Sequence, residues 1–232
     1  MNGETSGRVR PRALVVHGGW DGHQPEAVAQ ILSRVLREGG FDVETSDTLD
    51  AFRDEGLLRS ISLIVPHWTM GAITNDQLRP VLNAVQAGVG IAGCHGGMCD
   101  AFRDATDWHF MTGGQWVAHP GNDGTRYRVN VGPAGSAITQ GVGDFDVVSE
   151  QYYMHVDPAV KVLATTRFPV ADGPHAPNGP VDMPVLWTKL FGKGRVFYSS
   201  IGHTPAAVEA EPHLTLLRRG FRWAAKGAGS DQ

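Results

Sequence analysis

Val89-Gly90-Ile91-Ala92-Gly93-Cys94-His95-Gly96-Gly97 is a short apolar strand that runs into a glycine-framed turn and then a helix. Gly-x-His-x-Gly after a buried strand matches the strained strand-to-helix elbow that presents a nucleophile above an α/β sheet. Gly96 and Gly97 remove the Cβ clashes of such a turn and let backbone N–H groups approach a ligand, which makes them candidate substrate-binding positions. The elbow residue here is His95, and an imidazole suits metal binding or proton transfer better than covalent attack. A Gly-rich strand end with a packed histidine would read the same way, so the surrounding chain has to decide.

Upstream, Arg12 to His17 is an apolar run stopping at Gly18-Gly19, as expected of a strand covered on both faces. Pro25 opens a helix whose face is Val28, Ile31, Leu32, Val35 and Leu36, and Gly39-Gly40 ends it. Phe41 to Thr45 and Ile61 to Pro66 read as further strands, and Thr74 caps a helix with Leu78, Val81, Leu82 and Val85 on one face. Strands alternating with amphipathic helices imply an α/β fold with a mostly parallel, doubly wound sheet. Downstream, Asp100 to Trp108 reads as a short helix. Gln115–Ala118, Arg126–Val131, Asp144–Val148 and Val160–Thr166 read as an inserted antiparallel region at the sheet edge. Two more strands, Met183 to Lys189 and Arg195 to Ile201, and a helix from Leu214 to Ala225 close the fold.

At 232 residues and 41% hydrophobic, the chain can bury one sizeable core, and a single domain over residues 12–228 is expected after a disordered stretch at 1–11. A net charge of −4 gives no global attraction to nucleic acid or to an anionic membrane. No apolar run approaches a membrane span, and the first residues lack the apolar core of a signal peptide. Two cysteines, Cys94 and Cys99, are too few for a secreted disulfide framework. A cytoplasmic protein with reduced thiols is expected. A homo-oligomer is compatible with all of this.

Ten histidines stand out in this composition. His17, His67, His95 and His203 each fall at or just past the end of an expected sheet strand, and in an open parallel sheet those ends form one ligand-binding rim. Any one of them could be a packed or capping residue, but four point to a common site. His119, in Val117-Ala118-His119-Pro120, and Glu150 add an imidazole and a carboxylate, a donor set suited to a divalent metal such as zinc or manganese. No tight His-x-x-x-His or Cys-x-x-Cys pair occurs, so this reading depends on the fold.

Several segments resemble the ThuA-like (trehalose-utilisation) family of the class I glutamine amidotransferase-like superfamily. They are Gly93 to Gly97, Gly114-Gln115-Trp116-Val117-Ala118-His119-Pro120, Ser149-Glu150-Gln151-Tyr152, and Met183-Pro184-Val185-Leu186-Trp187-Thr188 through Gly192 to His203. The resemblance covers Ala13 to Lys226. It implies a flavodoxin-like three-layer sandwich and a role in sugar catabolism, on disaccharides or glycosides oxidised to 3-keto sugars. Ser149 departs from the acidic residue the family often has before the glutamate. Glutamine hydrolysis is not expected, because an amidotransferase needs an elbow thiolate and a carboxylate behind its histidine. Here His95 holds the elbow, and Pro205 stands two residues beyond His203, the match to the triad histidine. Cys94 reads as structural.

Two functions follow. In the first, an enzyme uses metal-assisted acid–base chemistry on a 3-keto glycoside, by elimination with rehydration or by isomerisation. His95, Glu150 and His203 are then the catalytic candidates, and His17, His67, His95, His119 and His203 the metal candidates. In the second, a non-catalytic sugar-binding or regulatory module stacks sugars on Trp20, Trp68, Trp116 and Tyr152, with Gln115 as a polar contact.

Overall fold

Ala13 and Val15 face one helical layer and Leu14 and Val16 the other, so the first strand already divides the interior into two cores. The computed structural model describes residues 10–132 and 136–226. Apart from Arg10 and Pro11, the stretch expected to be disordered lies outside the described residues, as do residues 227–228 of the expected domain.

Strands β1 (Arg12–Gly19), β2 (Asp42–Ser46), β3 (Leu63–Thr69), β4 (Gly90–Cys94) and β11 (Gly194–Ser199) pair in parallel, in the order β2-β1-β3-β4-β11. The same sheet continues antiparallel through β10 (Val181–Phe191), β9 (Lys161–Phe168), β6 (Thr125–Val131) and β7 (Phe145–Ser149). Helices α1 (Pro25–Glu38), α6 (Pro205–Glu209) and α7 (His213–Ala224) bury their apolar stripes on one face. On the other lie α2 (Glu55–Ser60), α3 (Asn75–Ala87), α4 (Gly96–Cys99) and α5 (Thr106–Thr112). The result is a three-layer α/β sandwich with a mostly parallel half. Each long helix starts as its sequence dictates: Pro25 sits in the first turn of α1, and Thr74 with Gln77 forms a reciprocal capping box on α3.

The region after the elbow differs from the sequence expectation. Residues 100–105 are not helical, because their backbone groups bond across to the end of β3: Met70 donates to the Asp100 carbonyl and Phe102 donates to the Met70 carbonyl. Gly114–Ala118 (β5) leaves the main sheet and pairs instead with Tyr153–Val156 (β8), a strand the sequence reading did not find. That two-stranded flap carries the chain from α5 across the rim, and the loop from β7 to β8 brings Glu150 with it.

His213, fully buried at the start of α7, shows how neutral imidazoles serve this core. Its Nδ1 lies 3.1 Å from the Ala207 carbonyl and its Nε2 3.0 Å from the Ser199 hydroxyl, a neutral ring donating to the first and accepting from the second. Burial pushes its pKa down to about 4. A folded value below the unfolded one means stability that is full above pH 6.5 and lost as pH falls toward 4. Urea unfolding should show wild type losing on the order of 2 kcal/mol more between pH 7 and pH 5 than His213→Gln. Equal losses would show that His213 is not held neutral.

Candidate functional site

His95 sits at the elbow with φ +52° and ψ −142°, a backbone region that side chains other than glycine rarely adopt and that costs on the order of 1–3 kcal/mol. The surroundings hold it there. Its N–H donates to the Ser199 carbonyl at 2.7 Å and its carbonyl accepts from the Tyr198 hydroxyl at 3.0 Å. Tyr152 stacks on its ring with centroids 4.0 Å apart, and no part of the side chain reaches solvent.

Four groups converge in front of this ring. His23, His95, Glu150 and His203 each offer one ligand atom, and these atoms all lie within 4.8 Å of one another. Glu150 is the hub: Oε2 is 3.1 Å from His95 Nε2, 3.2 Å from His203 Nδ1 and 3.8 Å from His23 Nε2, while Oε1 is 3.8 Å from His119 Nε2. The loop carrying it is pinned. Tyr127 donates to the Glu150 carbonyl, and the Gln151 amide donates to the Thr166 hydroxyl and the Arg167 carbonyl.

The far nitrogens of the three imidazoles are also engaged. His95 Nδ1 lies 2.9 Å from the Ser200 carbonyl, His23 Nδ1 lies 2.8 Å from the Thr69 hydroxyl, and His203 Nε2 faces the Asp123 carboxylate at 3.7 Å. A carbonyl can only accept, so His95 carries its proton on Nδ1 when neutral, and its Nε2 turns a lone pair toward Glu150. Burial drives the His95 pKa down to about 4, although a protonated ring would gain a hydrogen bond to Glu150, so the ring is neutral near pH 7. Burial alone would raise the Glu150 carboxyl, but His203, His23 and His95 outweigh it and hold the group well below the usual carboxylate range. Two lone pairs 3.1 Å apart repel unless a cation lies between them. A divalent metal fits this set: bonds of about 2.0–2.1 Å to tetrahedral nitrogen and oxygen ligands place neighbouring donors roughly 3.3 Å apart, and the hydrogen-bonded far nitrogens of His95 and His23 orient their rings as metal-bound histidines require. Without a metal, the Glu150 carboxylate raises the His203 pKa.

Of the residues singled out from sequence, the structure brings His95, Glu150 and His203 together, with His119 one step out beside Trp116. Tyr152 joins them by stacking, and Trp20 stands 45% exposed beside His23, with ring centroids 4.8 Å apart. Others are not in the cluster. β1 runs on to Gly19, so His17 keeps the alternation of Ala13 and Val15 and faces α1, where it lines a small pocket with Glu26, Ser33, Arg37 and Thr45. His67 lies within β3, which runs on to Thr69. It is buried with both ring nitrogens unpartnered, and burial followed by the charges of His23 and His95 pushes its pKa down to about 3. Gln115 donates to the Arg103 carbonyl, and Trp68 packs its indole between Gly18 and Gly71. Gly96 and Gly97 serve packing: a Cβ on Gly96 would come 2.7 Å from His23 Cε1, and one on Gly97 2.4 Å from His67 Nδ1. His23 was missed because it follows no strand directly. One turn of 3-10 helix, Asp21–His23, folds it back over the rim, and a histidine in the first βα loop was the available signal.

The model of the ThuA family, described as trehalose utilisation, matches residues 12–224. The chain belongs to the ThuA family. Its description ties the chain to sugar utilisation. Among solved structures, a putative ThuA-like protein from Parabacteroides merdae is 19% identical, with 94% of this chain and 90% of that one covered and a TM-score of 0.74. One from Bacteroides uniformis is 16% identical over 94% and 93% of the two chains, with a TM-score of 0.76. A protein from Salmonella typhimurium LT2 described as cytoplasmic is 14% identical over 92% and 99%, with a TM-score of 0.65. At such identities the likeness concerns the fold alone. No curated protein matches the chain. No helix among the described residues is long and apolar enough to cross a membrane.

Neither thiol is among the four groups of this cluster. Both are buried, and burial pushes Cys94 up to about 12 and Cys99 higher still. A thiol must ionise to attack. Iodoacetamide at pH 8 should leave both cysteines unmodified in the native protein and alkylate both in urea, as read by intact mass. Rapid native alkylation of Cys94 would reopen the thiol mechanism.

Proposed function

We propose that this chain is a sugar-catabolic enzyme acting on a 3-keto glycoside by acid–base chemistry, with a divalent metal held by His23, His95, Glu150 and His203. The convergence of these four ligand atoms, with the far nitrogens of His95 and His23 hydrogen-bonded elsewhere, carries the reading. Such a metal, zinc or manganese by its donors, would act as a Lewis acid on a sugar oxygen. His23 replaces His17 and His67 in the ligand set read from sequence.

A ketone at C3 acidifies the C–H at C2. When that proton leaves, its electron pair forms the C1–C2 double bond, the C1–O bond to the aglycone breaks, and the departing oxygen takes a proton. Water then adds at C1 and returns a proton to C2. No oxidant, reductant or protein nucleophile is consumed. His119 stands at the open side of the cluster, half-buried, with Nε2 toward Glu150 Oε1, and is the group assigned to move the C2 proton. His203, as a metal ligand, has to be neutral at its ligating nitrogen and is left out of the proton transfers, so the departing oxygen takes its proton from His119 or from water. The exposed indole of Trp20 offers a stacking face beside His23.

Two measurements on the purified full chain separate these roles. His95→Ala should lose both bound metal, by elemental analysis, and at least about 10²-fold in turnover of a 3-keto glucoside, whereas His119→Ala should lose a similar factor in turnover and keep the metal. Cys94→Ser should retain most of the activity. A chain that binds sugar with no turnover and no stoichiometric metal would instead be a non-catalytic sugar-binding module.

A further inference from the structure

Four protein ligands close a tetrahedral metal site, and closed sites are structural, whereas a site that polarises a substrate oxygen keeps one position open. The cluster needs a donor that steps aside, and its donors are not equivalent. Around Glu150 Oε2, His95 Nε2 at 3.1 Å and His203 Nδ1 at 3.2 Å stand close to the spacing of neighbouring ligands, while His23 Nε2 is set back at 3.8 Å. We infer that His23 is the displaceable fourth donor, giving up its place when the sugar arrives, while His95, Glu150 and His203 hold the metal throughout. The inference rests on the metal-assisted reading above and assigns the position at which the substrate enters.

The backbone behind each donor differs in the same sense. His95 is fixed at its N–H, its carbonyl and its Nδ1. The Glu150 carbonyl accepts from Tyr127, and the His203 N–H donates to the hydroxyl of Ser149, the residue just before Glu150. His23 instead rides on a single 3-10 turn between Trp20 and a left-handed Gln24 at φ +47°. That turn hangs from the end of β3, where the Thr69 carbonyl accepts from the Trp20 N–H at 3.1 Å. Outside the cluster the aromatic neighbour of the His23 ring is Trp20, an exposed indole, so a retreating ring disturbs a solvent-facing side chain rather than core packing. Trp20 is also the face offered to the sugar, which couples arrival of the substrate to the turn that carries His23.

The far side of each ring decides whether its donor nitrogen is free to change role. The Ser200 carbonyl opposite His95 Nδ1 only accepts, so the proton stays on Nδ1 and the lone pair on Nε2. His23 Nδ1 faces the buried Thr69 hydroxyl at 2.8 Å, and a hydroxyl both donates and accepts. A neutral His23 can hold its proton on Nδ1, with Thr69 accepting and the Nε2 lone pair turned to the metal. It can equally hold the proton on Nε2, with Thr69 donating to Nδ1 and the Nε2–H bonding a sugar oxygen or Glu150. The first form suits the closed site and the second the open one. Passing between them moves one proton from Nδ1 to Nε2, leaves the charge of the site unchanged and never leaves Nδ1 unpaired in the interior, where an unpaired polar atom is costly. Thr69 is thus a positioning residue for both forms.

Zinc affinity of the purified full chain, by competition with a chromophoric chelator, reads which donors hold the ion. His95→Ala and His203→Ala should each weaken zinc binding at least about 100-fold, the upper end of what losing a mere orienting partner costs, whereas His23→Ala should weaken it no more than about tenfold. Imidazole nitrogen shifts of the zinc-loaded chain, by NMR, then read the exchange. On saturation with 3-keto-1,5-anhydroglucitol, a sugar with no aglycone to lose, His23 Nε2 should pass from metal-bound to protonated and Nδ1 from protonated to accepting, with His95 and His203 unchanged. A loss of zinc in His23→Ala as large as in the other two variants, or a His23 ring that does not respond to the analogue at any concentration, would overturn the inference. A wild-type chain that binds no zinc would sink the metal reading and this one with it. Exchange at His23 without turnover of a 3-keto glucoside would sink the enzyme and leave the exchange standing, and turnover with His23 held as tightly as His95 would do the reverse.

Discussion

A carboxylate brought in from solvent among four imidazoles organises this molecule. Glu150 is nearly buried, and a buried charge is costly unless it is paired. Here the cost is met by His95, His203 and His23 on one oxygen and His119 on the other. Those rings come from four separate parts of the chain: the elbow after β4, the turn before α6, the first βα loop and the flap. Gathering them requires the parallel half of the sheet to align its strand ends and the antiparallel half to fold over them. The site is therefore a joint between the two halves of the sheet.

The elbow illustrates how strain is accommodated. A non-glycine residue at positive φ is unfavourable, and His95 is kept there by hydrogen bonds at its N–H, its carbonyl and its Nδ1, with Tyr152 stacked on its ring. The same elbow in a nucleophile enzyme would expose a thiol or hydroxyl. In this chain it directs a lone pair at a carboxylate, and the thiol next to it is buried in the sheet with its ionisation suppressed. One backbone device thus serves a different chemistry through the side chain at its tip.

The composition of the flap links the cluster to its surroundings. Ala118 and Tyr153 pair across it, and just outside that pairing stand His119 and Tyr152, both reaching toward Glu150 or His95. Trp116 and the Arg103–Asp100 pair buttress the same strand. A shift of the flap would therefore move the proton-transfer group and the ring stacked on His95 together.

Local pattern determined much of this protein. The apolar runs, the glycine stops, Pro25 and the capping box at Thr74 specify the βα units, and the Gly-x-His-x-Gly elbow marked His95 correctly as the tip of a strand-to-helix turn. Glu150, His119 and His203 were legible as residue types placed after strands. Sequence could not say which way a strand-end side chain points, because one or two residues of extra strand decide the face: β1 and β3 run past His17 and His67, leaving one toward α1 and the other packed inside. It could not find His23, whose approach depends on a single turn folding back across Gly96, nor show that Gly96 and Gly97 are small to admit imidazole rings. Nor could it pair Gly114–Ala118 with Tyr153–Val156 across 34 intervening residues. Periodicity and turn chemistry act over a few neighbouring residues, whereas the compensation of a buried charge acts through space, and only the tertiary structure brings those groups together.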